Sequence, residues 1–129
     1  MSNPSKRRGT DAEVKLLAWL HQNGHKDAVR NPPAGTKDVG DLTCDYADGY
    51  VRCHRCYPWD NQHPPVVIEV KNHANIATAL RDGVAELEVE KANAGAEHAV
   101  LVVKRRGVSD PGRWYAVREV RDDPEIGAS

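Results

Sequence analysis

The chain is predicted to fold as an α/β domain with a central mixed β-sheet flanked by helices, and three observations predict it. Val66-Val-Ile-Glu-Val-Lys-Asn72 and Ala99-Val-Leu-Val-Val103 are short apolar runs of the kind found in strands buried within a sheet. Between them Asn75 to Gly95 reads as one long helix, with Asn as its cap and Gly as its stop. A helix linking two such strands is a crossover, so the strands lie parallel in one sheet. With 129 residues the chain forms one domain, and because Phe is absent its core relies on Val, Leu, Ile and Ala.

Taken in order, residues 1–9 are polar and basic and are expected to be a mobile N-terminus. Thr10 or Asp11 caps a helix that runs to about Asn23, with Gly24 as its stop. Leu16, Leu17 and Leu20 form its apolar stripe, and Glu13 falls on the same face, where its carboxylate borders the core. Val29 to Pro33 contains a short strand, Pro32-Pro33-Ala34-Gly35 is a loop, and Val39 to Thr43 is a second strand carrying Asp41. Residues 44–65 are rich in Asp, Tyr, Pro and His, show neither helical nor strand period, and read as an inserted loop.

In the central strand, side-chain alternation puts Glu69 and Lys71 on one face with Val67, while Val66, Ile68 and Val70 take the other. One face holds chemistry and the other a core. The long helix presents Ile76, Leu80, Val84 and Leu87 as an apolar face despite Gly83 in its interior. Pro111-Gly112 makes a turn before an alternating strand from Trp114 to Val120, and the acidic tail after Arg121 is expected to fray. There is no internal repeat.

Composition narrows the function classes. The net charge of −1 gives no global attraction to nucleic acid, so such affinity has to be local, at Lys6-Arg7-Arg8 and Lys104-Arg105-Arg106. No apolar run of signal or membrane-spanning type is seen, which makes a cytoplasmic protein with no membrane partner the expectation. Three cysteines cannot all pair within one chain, so they read as free thiols or metal ligands.

The candidate chemistry lies in Gly40-Asp41 and Glu69-Val70-Lys71. A phosphodiester resists hydrolysis because its charge repels a nucleophile and its leaving oxygen accumulates charge, and a hard divalent cation offsets both. Asp41 and Glu69 on neighbouring strands suit Mg2+ or Mn2+, which favour carboxylate oxygens together with water and phosphate oxygens. Lys71 beside them can orient or deprotonate a water and neutralise charge in the transition state. Asp38 competes with Asp41, which is preferred because Leu42 continues it directly into the strand. Glu-Val-Lys alone is a weak signal, since charged residues commonly alternate on a strand's solvent face. It gains weight from its apolar strand, the preceding Gly40-Asp41, the following crossover helix and Glu13 upstream.

In this order Glu13, Asp41, Glu69-Val70-Lys71, the helix and the strand Ala99–Val103 resemble the PD-(D/E)XK nuclease superfamily over nearly the whole chain. Within it the likeness is closest to Holliday-junction resolvases of archaeal and phage type. Lys6, Arg7 and Arg8 before the first helix, Ala92-Asn93-Ala94-Gly95, Ala99 to Gly107 and Asp110-Pro-Gly-Arg-Trp-Tyr115 extend that likeness. The resemblance implies a restriction-endonuclease-like fold and Mg2+-dependent cleavage of branched DNA. It implies Asp41 and Glu69 as metal ligands, Lys71 as the catalytic lysine, and Glu13 as a group assisting a metal-bound water.

Two positions depart from the pattern. Gly40 stands where the motif's proline is expected, and the helix offers Glu86, Glu88 and Glu90 where many relatives have Gln. Glu86 is the best positional match, although a solvated acidic face is the commoner meaning of such a run. Because a four-way junction has two-fold symmetry and needs paired cuts, an isologous homodimer is expected.

The insertion adds a candidate structural zinc site. Cys53-His-Arg-Cys56 has the gap of a zinc knuckle, and Cys44 and His63 complete a Cys3His set, with His54 as a competing fourth ligand. One such pair of cysteines without a second leaves unligated loop thiols as the commoner reading. Lys6, Arg7, Arg8, Lys104, Arg105 and Arg106 are candidate phosphate contacts, and His73 would share the face of Lys71 if the strand continued. For any one of these residues ordinary surface exposure is an equal or commoner reading. Trp59 and Trp114 are candidates for base stacking, with a core role favoured for Trp114. Two other functions remain open beside a resolvase: another nuclease of the superfamily acting in restriction or repair, and a zinc-stabilised DNA-binding module without activity.

Overall fold

The computed structural model describes residues 4–25, 28–31, 40–44, 66–96, 98–123 and 125–126, and the side chains of residues 4–8 and 122 lie outside that description. Its order is α1 (Pro4–Gln22), β1 (Val29–Arg30), β2 (Leu42–Cys44), β3 (Val66–Lys71), α2 (Ile76–Ala94), β4 (His98–Val103) and β5 (Tyr115–Val117), with 3-10 turns at Pro111–Arg113 and Val120–Asp122. The five strands form one sheet in the order β1-β2-β3-β4-β5. β1, β2 and β3 pair antiparallel in succession, β3 and β4 pair parallel through the α2 crossover, and β5 returns antiparallel to β4. This is the expected α/β class with a mixed sheet.

α1 begins at Pro4, ahead of the expected cap at Thr10. Proline suits a first helical position because its missing N–H has no intrahelical partner there, and Lys and Arg are good helix formers. Gly9 costs such a helix only about 1 kcal/mol. The far end stops as expected: Gly24 takes φ 98, and the N–H groups of Asn23 and His25 both donate to the Leu20 carbonyl, at 3.1 and 2.9 Å.

α2 is capped at both ends by the residues the sequence points to. The Asn75 side chain accepts from the Thr78 N–H, and Gly95 closes the helix in the left-handed region at φ 64. Its inward face matches the expected one at Leu87 and at the partly buried Leu80, and differs at the other two positions. Ala79, Gly83, Leu87 and Glu90 are buried, whereas Ile76 and Val84 are 47% and 44% exposed. Close approach explains the offset, because the small residues let the helix settle on β4. A Cβ on Gly83 would stand 2.6 Å from Leu101 Cδ1.

The sheet separates two apolar layers by alternation. On one side Ala12, Leu16 and Leu20 of α1 pack with Leu42, Cys44, Val66, Ile68, Val70, Val102 and Trp114. On the other, Ala79 and Leu87 of α2 pack with Val67, Ala99, Leu101 and Val103. Glu69 and Lys71 follow Val67 at alternate positions, so they project toward α2.

Two further differences concern the C-terminal part. β5 spans only Tyr115–Val117, and Val120–Asp122 forms a 3-10 turn where the alternation suggests strand. Trp114 serves the core, as favoured: it is buried and its Nε1 donates to the Val108 carbonyl at 2.7 Å. No helix among the described residues is long and apolar enough to cross a membrane.

Candidate active site

The site grows from the place where β2 ends before β3 does. Leu42 pairs with Ile68, so the ladder has no further β2 strand residue to offer the Val70 N–H. The Asp41 side chain supplies the acceptor instead, its Oδ2 lying 2.8 Å from that nitrogen. The backbone fixes Asp41 from both sides, since its N–H donates to the Ile68 carbonyl at 3.0 Å and its carbonyl accepts from Asn31 at 2.9 Å. Asp41 is thereby locked beside the strand that carries Glu69 and Lys71.

Gly40 explains one departure from the expected motif. Its φ is +94, which proline cannot adopt because its ring holds φ near about −65°. A Cβ here would also meet Val67 Cγ1 at 2.6 Å and Glu90 Oε2 at 3.4 Å. The bare backbone thus brings Asp41 in over β3 and against the acidic face of α2.

Across from β3, Glu86 and Glu90 lie one turn apart on α2 and face the same way. Lys71 Nζ stands 2.7 Å from Glu86 Oε2 and 3.4 Å from Glu69 Oε2. Glu69, Glu86 and Glu90 each offer an oxygen within 4.8 Å of the others. Glu90 is fully buried, Glu69 nearly so, and Glu86 opens to solvent. The cluster therefore has a closed floor and an open rim.

Crowding the carboxylates has electrostatic consequences. Burial, followed by the Glu86 and Glu90 side chains and the Asp41 charge, pushes the Glu69 carboxyl up to about 11. Without a cation in the cluster, Glu69 keeps its proton and serves as a donor to its neighbours. Glu86 is held below its ordinary value, chiefly by the hydrogen bond from Glu69 and then by Lys71, with His73 adding to the effect. At Lys71 burial disfavours the charge, but the hydrogen bonds to Glu86 and Glu69 and the Glu86 charge outweigh it and raise the ammonium's pKa. Lys71 is a cation at neutral pH.

Glu13 stands at the edge of this group. Its Oε1 accepts from Arg30 Nε at 2.8 Å, which ties α1 to β1. Burial raises its pKa against the pull of Arg30, and Asp41 lies near enough to add to the rise. Among the described residues the three converging oxygens belong to Glu69, Glu86 and Glu90, with Asp41 and Glu13 flanking them.

The basic residues after β4 reach the same end of the sheet. The Lys104 N–H donates to the Lys71 carbonyl at 3.0 Å, which sets this loop beside the carboxyl ends of β3 and β4. Lys104 Nζ lies 5.9 Å from the Trp114 ring centre and Arg105 Cζ 4.9 Å from that of Tyr115, while Arg106 is exposed. His73 is exposed at the same end. The side chains of Lys6, Arg7 and Arg8 lie outside the described residues, as do Asp38, Cys53, His54, Cys56, Trp59 and His63. Cys44 is described and buried, with its Sγ 3.0 Å from His25 Nδ1.

Arg30 is the site residue that sequence reasoning missed, Glu90 was offered by the sequence but ranked behind Glu86, and Glu86 is more engaged than its acidic run suggests. For Glu90 the missed signal was the Ala79-Gly83-Leu87 ridge. Once that ridge faces the sheet, Glu90 follows Leu87 onto the buried face, and Glu86 borders it.

The donor set suits a hard cation. An octahedral ion with oxygens at about 2.0–2.1 Å spaces neighbouring donors about 2.9 Å apart and opposite ones about 4.2 Å apart. The three glutamate oxygens lie within 4.8 Å of one another, close enough that the group could hold such an ion. Comparison with protein-family models, curated proteins and solved structures gives no match for this chain.

Proposed function

We propose that the chain is a Mg2+-dependent endodeoxyribonuclease of PD-(D/E)XK type with a restriction-endonuclease-like core, selective for branched DNA and acting as a Holliday-junction resolvase. The observation that carries the reading is the convergence of Glu69, Glu86 and Lys71 beside Asp41, at the exposed end of a sheet whose next strand leads into a basic loop. Glu69, Glu86 and Glu90 converge beside Lys71 among the described residues, and their crowding, which raises the Glu69 carboxyl, is a strain that a divalent cation would relieve.

A divalent cation bound there would offset the phosphate's charge and lower the pKa of a water at neutral pH. Glu69 is the primary ligand, with Glu86 and Glu90 completing the oxygen set from α2. Asp41, fixed by Val70, would share the load from the turn just before β2. Lys71 leaves Glu86 to pair with a phosphate oxygen and carries its proton to the point where negative charge develops. Glu13 lies on the Asp41 flank, in place to accept a proton from an attacking water. Lys104, Arg105, Arg106 and His73 meet the DNA backbone at the carboxyl ends of β3 and β4, joined by Lys6, Arg7 and Arg8. Two chains act as a symmetric homodimer so that paired strands are cut.

The test is incubation of purified protein with labelled four-way junction and linear duplex, each with Mg2+ or EDTA. Symmetric cuts in the junction alone, abolished by EDTA, are expected. Equal cutting of linear duplex moves the chain to a restriction or repair role. Binding without Mg2+-dependent cutting overturns the enzyme reading and leaves a DNA-binding module.

A further inference from the structure

We propose that Asn31, the residue after β1, is a positioning residue that fixes the peptide between Gly40 and Asp41 and so holds the Asp41 carboxylate in the site, a role that rests on the nuclease reading above. The Asn31 side chain donates from Nδ2 to the Gly40 carbonyl at 3.1 Å and to the Thr43 hydroxyl at 2.8 Å. Its backbone N–H donates to the Asp41 carbonyl at 2.9 Å. One residue thus grips the chain before, at and after Asp41.

The peptide it holds has unusual freedom to turn. Gly40 sits at φ +94 without a Cβ, and glycine resists rotation of the following peptide less than any other residue. A turned peptide would swing Asp41 Oδ2 away from the Val70 N–H, which it meets at 2.8 Å. Both polar ends of that peptide are engaged instead. The Asp41 N–H donates to the Ile68 carbonyl at 3.0 Å, and the Gly40 oxygen accepts from Asn31. β3 therefore holds one end and Asn31 the other.

The chemistry of the clamp selects asparagine. A carbonyl oxygen only accepts, so the group facing Gly40 has to be a donor, and a carboxamide nitrogen carries two protons, one for each acceptor. An aspartate of the same shape would set a carboxylate oxygen against the Gly40 carbonyl. Pro32 follows Asn31 in sequence and disfavours the helical conformation for the residue before it, which keeps the Asn31 backbone extended in line with β1. Removing a group that orients a metal ligand typically costs about 10–100-fold in metal affinity or activity.

The test reads hydrogen–deuterium exchange at the Val70 amide without divalent cations, and cleavage of the four-way junction against Mg2+ concentration. Asn31→Ala and Asn31→Asp should each speed Val70 exchange about 10-fold, while Leu101 in the buried β4 exchanges as in the natural chain because the fold is kept. Thr43→Val, which removes one acceptor and leaves Gly40 held, should stay near the natural rate. Asn31→Ala should also need about 10–100-fold more Mg2+ for half-maximal cleavage, with the rate at saturation within a few-fold. Val70 exchange that is unmoved by both Asn31 variants, matched by equal speeding at Leu101, or moved equally by Thr43→Val overturns the proposal. So does a cutting chain whose Mg2+ requirement is the same with Asn31→Ala. A natural chain that does not cut at all overturns the nuclease reading and, with it, the role toward Mg2+.

Discussion

At the scale of single residues, the site is a contest between one ammonium and more carboxylates than it can neutralise. Lys71 already has Glu86 at 2.7 Å and Glu69 at 3.4 Å, while Glu90 sits beneath them with no exposed surface. The raised Glu69 pKa fixes a pH dependence for the chain free of divalent cations. Folded Glu69 holds its proton above the value at which the unfolded group releases it, so its share of stability is full below about 4.5 and is lost as pH rises toward about 11. Thermal melts in EDTA are expected to fall from about pH 5 to pH 9, and Glu69→Gln should flatten that slope. An unchanged slope in the variant would show that Glu69 ionises freely. Added Mn2+ at about pH 8 should raise the melting temperature of the natural chain and leave that of Glu90→Gln nearly unmoved, because removing one buried donor weakens the set.

Among the elements, the packing of α2 onto β4 decides whether the acidic residues meet at all. Ala79 and Gly83 let the helix approach closely enough for Glu86 and Glu90 to reach across β3. Gly83→Ala improves helix propensity by about 1 kcal/mol, yet its methyl would press on Leu101, and overpacking costs about 1–3 kcal/mol. Net destabilisation in a denaturant melt is expected. Combining it with Leu101→Ala, which alone costs about 2–5 kcal/mol, should prove clearly less than additive. Strict additivity would mean that the two side chains do not compete for space. Asn75→Ala should cost about 1 kcal/mol through loss of the Thr78 cap.

These elements also show what the sequence made legible. The α2 caps, the apolar β3 and β4 runs and the parallel crossover were readable because local chemistry determines them. The buried face of α2 was legible at Leu80 and Leu87 but not at Ala79 and Gly83, because alanine and glycine carry little hydrophobic signal and burial there depends on a close approach to Leu101. Hydropathy favours Ile76 and Val84, which the fold leaves exposed, and it puts Glu90 in water although the sheet covers it. Asp41, Glu69 and Lys71 were legible from spacing. The third converging carboxylate needed the helix rotation that only packing supplies.

For the whole molecule, the topology brings the carboxyl ends of β3 and β4, the Asp41 turn and the basic loop after Val103 to one end of the sheet. α1 reaches that end through Glu13 and Arg30, with its basic first turns nearby in sequence. One end of the sheet thus holds both the acidic cluster and the Lys104-Arg105-Arg106 loop, so a chain of net charge −1 still carries a local basic patch beside its carboxylates. Sedimentation of the chain alone should give a dimer. The most direct test of the central claim is single-turnover cleavage of a labelled four-way junction in Mg2+, with binding measured on the same samples, for the natural chain, Lys71→Ala and Asp41→Asn. The account predicts cleavage by the natural chain and a loss of at least about 100-fold in both variants, with binding within a few-fold. Full cleavage by Lys71→Ala, or none by a natural chain that binds the junction, would contradict it.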